Sequence, residues 1–390
     1  MPGSELRPAP EPGGKLPARL VRLAVALLLA APGAVKAEPS QGPLGVRTPG
    51  TLRDLFLDVV HWDAREVAAL RLDVGWSMAN DWSTPTTLTR GERLVDVRLD
   101  EESDSLTAAF RLPWGVVLGA PEGSFARRLA TALELRVTWH WGGWSDAAIE
   151  TWHRALSFND FDRPAFPRNQ VHVELRRPPS NAPVDIQGTT FAFGDVVLRN
   201  QLLLWQGGEP LRSGPDARAG VSLRLDVKAP TGSLSRMGGS GGWDVGMGVE
   251  GTWQATSWLV GHAIVAGSIW SGMPGSLPLQ PRVWHGSVGL SLVILLGDWS
   301  LVLEDRWASA PFQSGWTFVE VNPEWNLQSS ASTAVTRPQN QITGGVRWGP
   351  LTFWFTEDFS PGQVPGLGQK WFYDTNAPDL AIGLTLTLQP

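Results

Sequence analysis

The sequence predicts an all-β fold, a transmembrane antiparallel β-barrel of twelve strands (fourteen on a finer division), with one short helix in a long connection. Three observations predict it. Between Val67 and Leu388 the chain returns repeatedly to roughly ten residues of strict apolar/polar alternation, often closed by tryptophan. A leader-like segment precedes these repeats. Tight turns alternate with long polar connections between them, the asymmetry of outer-membrane barrels.

The leader comes first. Lys15, Arg19 and Arg22 form a positive n-region, and Leu23–Val35 is a short apolar run interrupted by Pro32 and Gly33. Val35-Lys36-Ala37 then places small residues before an expected cleavage near Ala37, ahead of Glu38. The run is too short to span a bilayer, and no later stretch holds eighteen apolar residues, which excludes a helical membrane protein. The expected division is a signal peptide at 1–37, a Pro/Gly-rich periplasmic or lumen-inserted segment at 38–66, and a barrel at 67–390. With no cysteine, a disulfide scaffold, a lipidated N-terminal cysteine and Cys-ligated metal are ruled out. A net charge of −6 gives no case for a nucleic-acid partner. Hydrophobic content of 42% suits a barrel whose lumen and loops dilute its lipid face. The 21 Trp against one Tyr point to membrane–water interfaces, where the ring is buried and the N–H stays wet.

Each strand follows from parity, since successive side chains face opposite sides. Leu70, Leu72, Val74, Trp76 and Met78 oppose Arg71, Asp73 and Ser77. In the next segment Val95, Val97 and Leu99 give way to Leu106, Ala108, Phe110 and Leu112 on the other parity. Such a switch reads as a bulge within 93–112, or as a hairpin. In Leu129–Trp141, Leu133, Leu135 and Val137 face lipid while Glu134, Arg136 and His140 face the lumen. Ala217–Ala229 sets Val221, Leu223, Leu225 and Val227 against Arg218, Ser222, Arg224, Asp226 and Lys228. Further strands are expected at 195–205, 243–253, 258–270, 283–296, 299–307, 341–348, 351–359 and 379–388, with a blurred phase in Val260–Trp270. Gly297-Asp298 and Gly349-Pro350 are the tight turns. Splitting 93–112 and adding Val171–Arg176 to the wall gives fourteen strands. The last strand ends Leu386-Thr387-Leu388-Gln389-Pro390, without the terminal aromatic common in such barrels.

Ser145–Phe158 departs from this period. Ser145 can cap a helix, Asp146 suits its first turn, and Ile149, Trp152 and Leu156 share one face. It lies in the long connection 142–194, where length itself suggests a plug, a constriction or a cap. Several short motifs are also distinctive: Gly42-Pro43-Leu44, Trp144-Ser145-Asp146 with Ile149-Glu150 and Trp152-His153, and Pro167-Arg168-Asn169. Phe193-Gly194-Asp195, Lys228-Ala229-Pro230-Thr231-Gly232 and Glu357-Asp358 follow. Over about 42–388 the chain resembles the uncharacterised proteobacterial family known as domain of unknown function 3187, related to outer-membrane barrels associated with phenol degradation. It departs from the family pattern in a longer 113–128 connection and in Arg47-Thr48 where an Arg-Asn pair is usual. The resemblance implies an outer-membrane barrel and brings no known activity.

The residues offer little catalytic material. Glu150 and His153 are three apart on the expected helix, but a dimetal carboxylate site needs a second such pair, which is missing. Asn159, Asp160 and Asp162 match no EF-hand spacing. A hydrolase would need a hydroxyl nucleophile with His and an acid, and no Gly-x-Ser-x-Gly elbow occurs. Met237-Gly238-Gly239-Ser240-Gly241-Gly242 joins two strands and implies no phosphate site. No cofactor or metal is expected. The charges on the lumen parity carry the functional expectation: Glu134, Arg136, His140, Arg199, Arg218, Arg224, Asp226, Lys228, Asp244 and Glu250. Rings of such side chains set selectivity in pores, and paired charges also simply fill small barrels. Three functions stay open: a channel or uptake protein for small solutes, a plugged non-transporting envelope barrel, and an outer-membrane hydrolase. The expected partners are outer-membrane lipid, the barrel-assembly machinery and a small solute.

Overall fold

The structure, a computed structural model, describes residues 40–47, 50, 53–90, 93–156, 167–176, 184–211, 217–271, 284–309, 339–358 and 380–389. The leader, and Asn159, Asp160 and Asp162, lie outside the described residues. Alternating sequence becomes strand throughout. β1 (Arg71–Arg90), β2 (Arg93–Pro113) and β3 (Leu129–Trp141) come first, then three short strands, β4 (Val173–Arg176), β5 (Val184–Ile186) and β6 (Thr190–Phe193). Nine follow in a meander: β7 (Val196–Gly207), β8 (Ala219–Ala229), β9 (Asp244–Thr256), β10 (Leu259–Trp270), β11 (Trp284–Leu296), β12 (Trp299–Ala308), β13 (Gln339–Trp348), β14 (Leu351–Asp358) and β15 (Leu380–Leu388).

β1, β2, β3 and β7 to β15 pair antiparallel with their neighbours, and β15 pairs back onto β1, Leu72 with Leu388 through Asn80 with Leu380. That closes a ring of twelve strands with no open edge within the ring. The ends differ. At one, Gly297 (φ 67°) and Gly349 (φ 52°) make the tight left-handed turns that glycine allows. We call this the turn end, where β1 begins and β15 finishes. Most of the long connections gather at the loop end; the β2–β3 connection, with a helical turn at Trp114–Val117, and the β7–β8 connection are the long ones at the turn end.

The finer division into fourteen strands is not realised. Residues 93–113 form one strand, and the register shift lies across from it, between Ser83 and Thr86 of β1. β4 pairs with Asp96–Arg98 of β2, beyond the level at which β3 ends on Glu102, so it extends an edge above the wall. The parity switch in β2 therefore marks a change of surroundings. Along Leu106–Phe110 the outward face is apolar. Higher up, Leu99 points inward to a core of Val173, Leu175, Val184 and Ile186 with Leu55, Phe56 and Trp270, which roofs the mouth.

Outward side chains form an apolar band: Leu133, Leu135, Leu225, Val249, Val265, Leu290, Leu303 and Phe353 are all exposed. Tryptophans flank it. Trp253, Trp258, Trp299 and Trp348 lie toward the turn end, the last two stacked at 5.7 Å, and Trp243 and Trp307 lie toward the loop end. Polar tips at both rims of an apolar band are the signature of a lipid-embedded barrel. No helix among the described residues is long and apolar enough to cross a membrane.

Leu225 sits at the middle of β8 on the outward face. Leu225→Arg is expected to destabilise the barrel by about 2–4 kcal/mol, the cost of a cation near the bilayer midplane. A folding titration in lipid bilayers measures it, and an unchanged midpoint contradicts the assignment of this face to lipid.

Candidate functional site

The inside of the barrel is occupied by the chain's own N-terminal segment. Ser40–Pro43 lie at the turn end, where Arg347 donates to the carbonyls of Ser40 (3.2 Å), Gly42 and Pro43. Asp54–Phe56 lie near the loop end, with Phe56 stacked on Trp270 at 4.1 Å. Residues 57–66 then return to the turn end and lead into β1. Two legs thus share the lumen. Arg47 ties them, donating to the carbonyls of Asp54 (3.2 Å) and Phe56, and Arg65 reaches Gln41 at 3.4 Å.

An extended segment without a ladder buries backbone donors and acceptors, and each needs a partner. The lumen side chains supply them. Asp244 accepts from the Leu57 N–H (2.9 Å), Glu250 from Trp62 (3.0 Å), Thr252 from Ala64 (3.0 Å) and Glu304 from Leu44 (3.1 Å). Arg199 donates to the Asp58 carbonyl (2.8 Å), Gln201 to Asp63 (2.8 Å), Arg136 to Asp54 (2.7 Å) and His262 to Gln41 (2.9 Å). Plug carboxylates answer the remaining cations. Asp58 pairs with Arg306 (2.6 Å) and Asp54 with Arg136.

Most of the residues singled out above meet here. Arg199, fully buried, links Glu134 (2.6 Å) to Asp226 (2.7 Å) and to the plug. Arg224 bonds Asp226 (3.1 Å) and lies 3.6 Å over the Trp62 ring. Lys228 is held by Asp195 and Asp244 (3.3 Å) and by Ser240 (2.8 Å), which fixes the Gly-rich loop onto the rim. Arg218 and His140 stand apart from the plug. Arg218 is half-buried and donates to the Gln254 (3.0 Å) and Ala255 (3.1 Å) carbonyls, and His140 bonds Glu101 at 2.7 Å. Arg111, Glu304, Arg306 and Arg347 belong to the same lining and were missed. The parity that placed Glu134 places Glu304 and Arg306 too, inside Leu301 and Leu303.

The two sides of the lumen differ. Most of the long charged residues that grip the plug come from β7–β13, with Arg111 of β2 and Arg136 of β3 added to them. The β1–β3 and β15 side carries Gly75, Ser77, Thr107, Ala109, Ala132 and Thr385, and there a cavity of about 150 Å³ remains between the wall and the plug.

The helix forms at Asp146–Leu156, but its buried face is Asp146, Ile149, Glu150 and His153. Trp152 is 40% exposed, edge-on to Phe355, and the Leu156 side chain lies outside the described residues. Of the expected docking face Ile149 is buried, and the correction concerns Trp152. The reason is the surface it meets. Asn80 bonds Ser145 (2.9 Å) and Asp146 (3.1 Å), and Glu102 accepts from the Trp144 (3.2 Å) and Ser145 (3.1 Å) N–H groups. Asn80, Glu102 and Phe355 are on the outward parity, so the helix lies against the outer wall at the loop end. A lumenal position is excluded.

Little here resembles a catalytic or metal centre. Glu150 is engaged by Arg168 (2.9 Å), and among the described residues no three His, Asp or Glu could hold a metal ion. His262 spends one nitrogen on Thr252 (2.9 Å) and the other on the Gln41 carbonyl.

Against known proteins, the sequence model of the family described as protein of unknown function (DUF3187) matches residues 68–293. The chain belongs to this family. The matched span runs from just before β1 into β11, so the plug residues precede it. No curated protein matches the chain. Similar solved structures include the COG4313 outer membrane channel from Pseudomonas putida F1, at 11% identity and TM-score 0.40, covering 83% of this chain and 96% of that one. A Pseudomonas aeruginosa FadL homologue is 9% identical, with TM-score 0.32, covering 90% of this chain and 98% of that one. BamA from Haemophilus ducreyi lacking POTRA domains 1–3 is 10% identical, with TM-score 0.30, covering 95% of this chain and 79% of that one. The assignment as a barrel rests on the strand pairing and the apolar exterior.

Two outcomes follow from this geometry. Arg199→Met takes from buried Glu134 its nearest cation and should cost about 3–5 kcal/mol, whereas adding Glu134→Gln should restore part of it, Asp226 being still paired with Arg224; urea unfolding of the single and double variants measures the difference. Replacing 144–156 by a Gly/Ser connection should leave single-channel conductance unchanged, since the helix is outside the lumen, and a rise in conductance in planar bilayers contradicts that position.

Proposed function

We propose that this protein is an outer-membrane channel for small solutes, narrowed by its own N-terminal segment. In this reading the leader is removed near Ala37, the barrel-assembly machinery inserts the chain, and the turn end faces the periplasm. The observation that carries it is the asymmetry of the lumen. Charged side chains, most of them on β7–β13, hold the plug, while the small residues of β1–β3 and β15 keep a cavity open between the charges of that side. A barrel that only needed to be filled gains from large side chains at those positions, because voids forfeit packing. Arg71 and Ser77 both line the cavity, so by strand rise it extends about 20 Å along the wall.

A plugged, non-transporting barrel is the second reading, favoured by the density of paired charges on the β7–β13 side. Hydrolysis ranks last, since the reading requires no nucleophile. Planar-bilayer conductance of the refolded protein separates the first two. The parent should conduct, and Ala109→Trp, which fills the cavity, should lower conductance several-fold. Ala108→Trp, on the outward face one residue away, should not. A parent that stays silent, and stays silent after removal of 38–47, favours the non-transporting reading.

A further inference from the structure

The cavity has a chemistry of its own. Its lining includes three cations and four carboxylates, Arg47, Arg71 and Arg111 with Asp63, Glu66, Asp73 and Glu134. Each cation has its partners on the protein. The Arg71 Nε–H is shared between the two Asp73 carboxylate oxygens (2.9 and 2.7 Å), and Nη1 lies 3.5 Å from Glu66. Arg111 donates to the Glu66 carbonyl and to Gln201, with its guanidinium 4.6 Å over Trp62. Arg47 is spent on the plug backbone, with Asp54 at 3.7 Å. Two of the carboxylates are engaged likewise, Glu134 by Arg199 (2.6 Å) and Asp63 by Arg65 (2.7 Å).

What is left to a guest is small or apolar surface, from Leu44, Val60, Ala109, Ala132 and Trp354, the hydroxyls of Ser77, Thr107 and Thr385, and the His61 imidazole, whose two ring nitrogens are buried without a hydrogen-bond partner among the described residues. A charged solute entering here gives up its hydration and must displace protein partners to find a counter-charge, an ion pair at Arg71 or the hydrogen bonds and Trp62 stacking at Arg111. A neutral solute with one or two polar groups loses much less, and uncharged hydroxyls can satisfy them. The volume sets the size, since a cavity of about 150 Å³ holds a molecule of about benzene's dimensions.

We infer that this cavity is a binding site for small uncharged molecules, an apolar frame of single-ring size bearing a hydroxyl or carbonyl group, and that it rejects charged molecules of the same shape. This deepens the channel reading and rests on it for a role in transport. Three probes of one shape test it, cyclohexanol, cyclohexylammonium and cyclohexanecarboxylate, titrated calorimetrically into the full barrel in lipid nanodiscs. Cyclohexanol should bind and each ion should bind at least about ten-fold more weakly. Ala109→Trp should abolish cyclohexanol binding, while Ala108→Trp should leave it intact. Asp73→Asn releases one partner of Arg71 and should raise affinity for the carboxylate alone. Equal or tighter binding of either ion by the parent, or cyclohexanol binding that survives Ala109→Trp, overturns the inference. The two readings fail separately. Cyclohexanol binding by a barrel that never conducts supports the site and sinks the channel, and conduction with preference for an ion does the reverse.

Discussion

The structure depends on one exchange: the lumen's charged side chains supply the hydrogen bonds that the plug's backbone cannot make with itself. A lone extended segment buried without partners would leave each polar group at a cost of about 1–3 kcal/mol. Asp244, Glu250, Thr252 and Glu304 take its N–H groups, and Arg136, Arg199, Gln201 and Arg347 take its carbonyls. The dependence runs both ways. Arg306 without Asp58, or Arg136 without Asp54, would be a buried cation short of its carboxylate partner, which is costlier still. Wall and plug therefore stabilise each other.

That exchange explains features of the wall that a barrel with a watery lumen would not need. Val260, Ile264 and Ala266 point inward from β10, yet they are apolar, because they meet plug residues such as Leu44 and Val59. Glycines mark close approach. A Cβ on Gly246 would overlap Val59, and a Cβ on Gly383 would overlap the inward Trp354 ring. Twelve strands enclose more space than the eight of a barrel filled by its own side chains, and two legs of chain occupy most of the difference. Charged residues around the wall, most of them on β7–β13, fix the plug, and the small residues of β1–β3 and β15 leave room beside it.

The barrel was legible because a period of two is a local property. Leu133, Leu135 and Val137 against Glu134 and Arg136 need no knowledge of their neighbours, and the same rule repeated along the chain implies closure. Where it failed, a second surface intervened. The blurred phase of β10 is the imprint of the plug, and the parity switch in β2 is the imprint of the roof. The Asp146–Leu156 helix was legible as a helix, yet its docking face was misjudged at Trp152, because the wall beneath it offers Asn80 and Glu102 rather than an apolar groove. The cavity was not legible at all. Gly75, Ala109 and Ala132 lie far apart in sequence, and only the register that sets Gly75 opposite Thr107 and Ala109 opposite Glu134 gathers them.

The plug's two legs are not equally bound to the rest of the molecule. Residues 57–66 continue into β1, so the strand ladder anchors their far end whatever happens in the lumen. Residues 40–47 reach β1 only through the other leg. Their hold on the wall is a set of side-chain bonds, among them those from Arg347, His262 and Glu304, and Arg47 and Arg65 add bonds between the two legs. A segment continuous with a hydrogen-bonded strand ladder leaves only when the barrel unfolds, whereas one held by side chains leaves when those bonds are exchanged for water. The cavity borders this second leg at Gly42–Arg47. The open side of the lumen thus lies next to the part of the plug whose removal requires least of the barrel, which is the arrangement a narrowed channel requires and a sealed one does not.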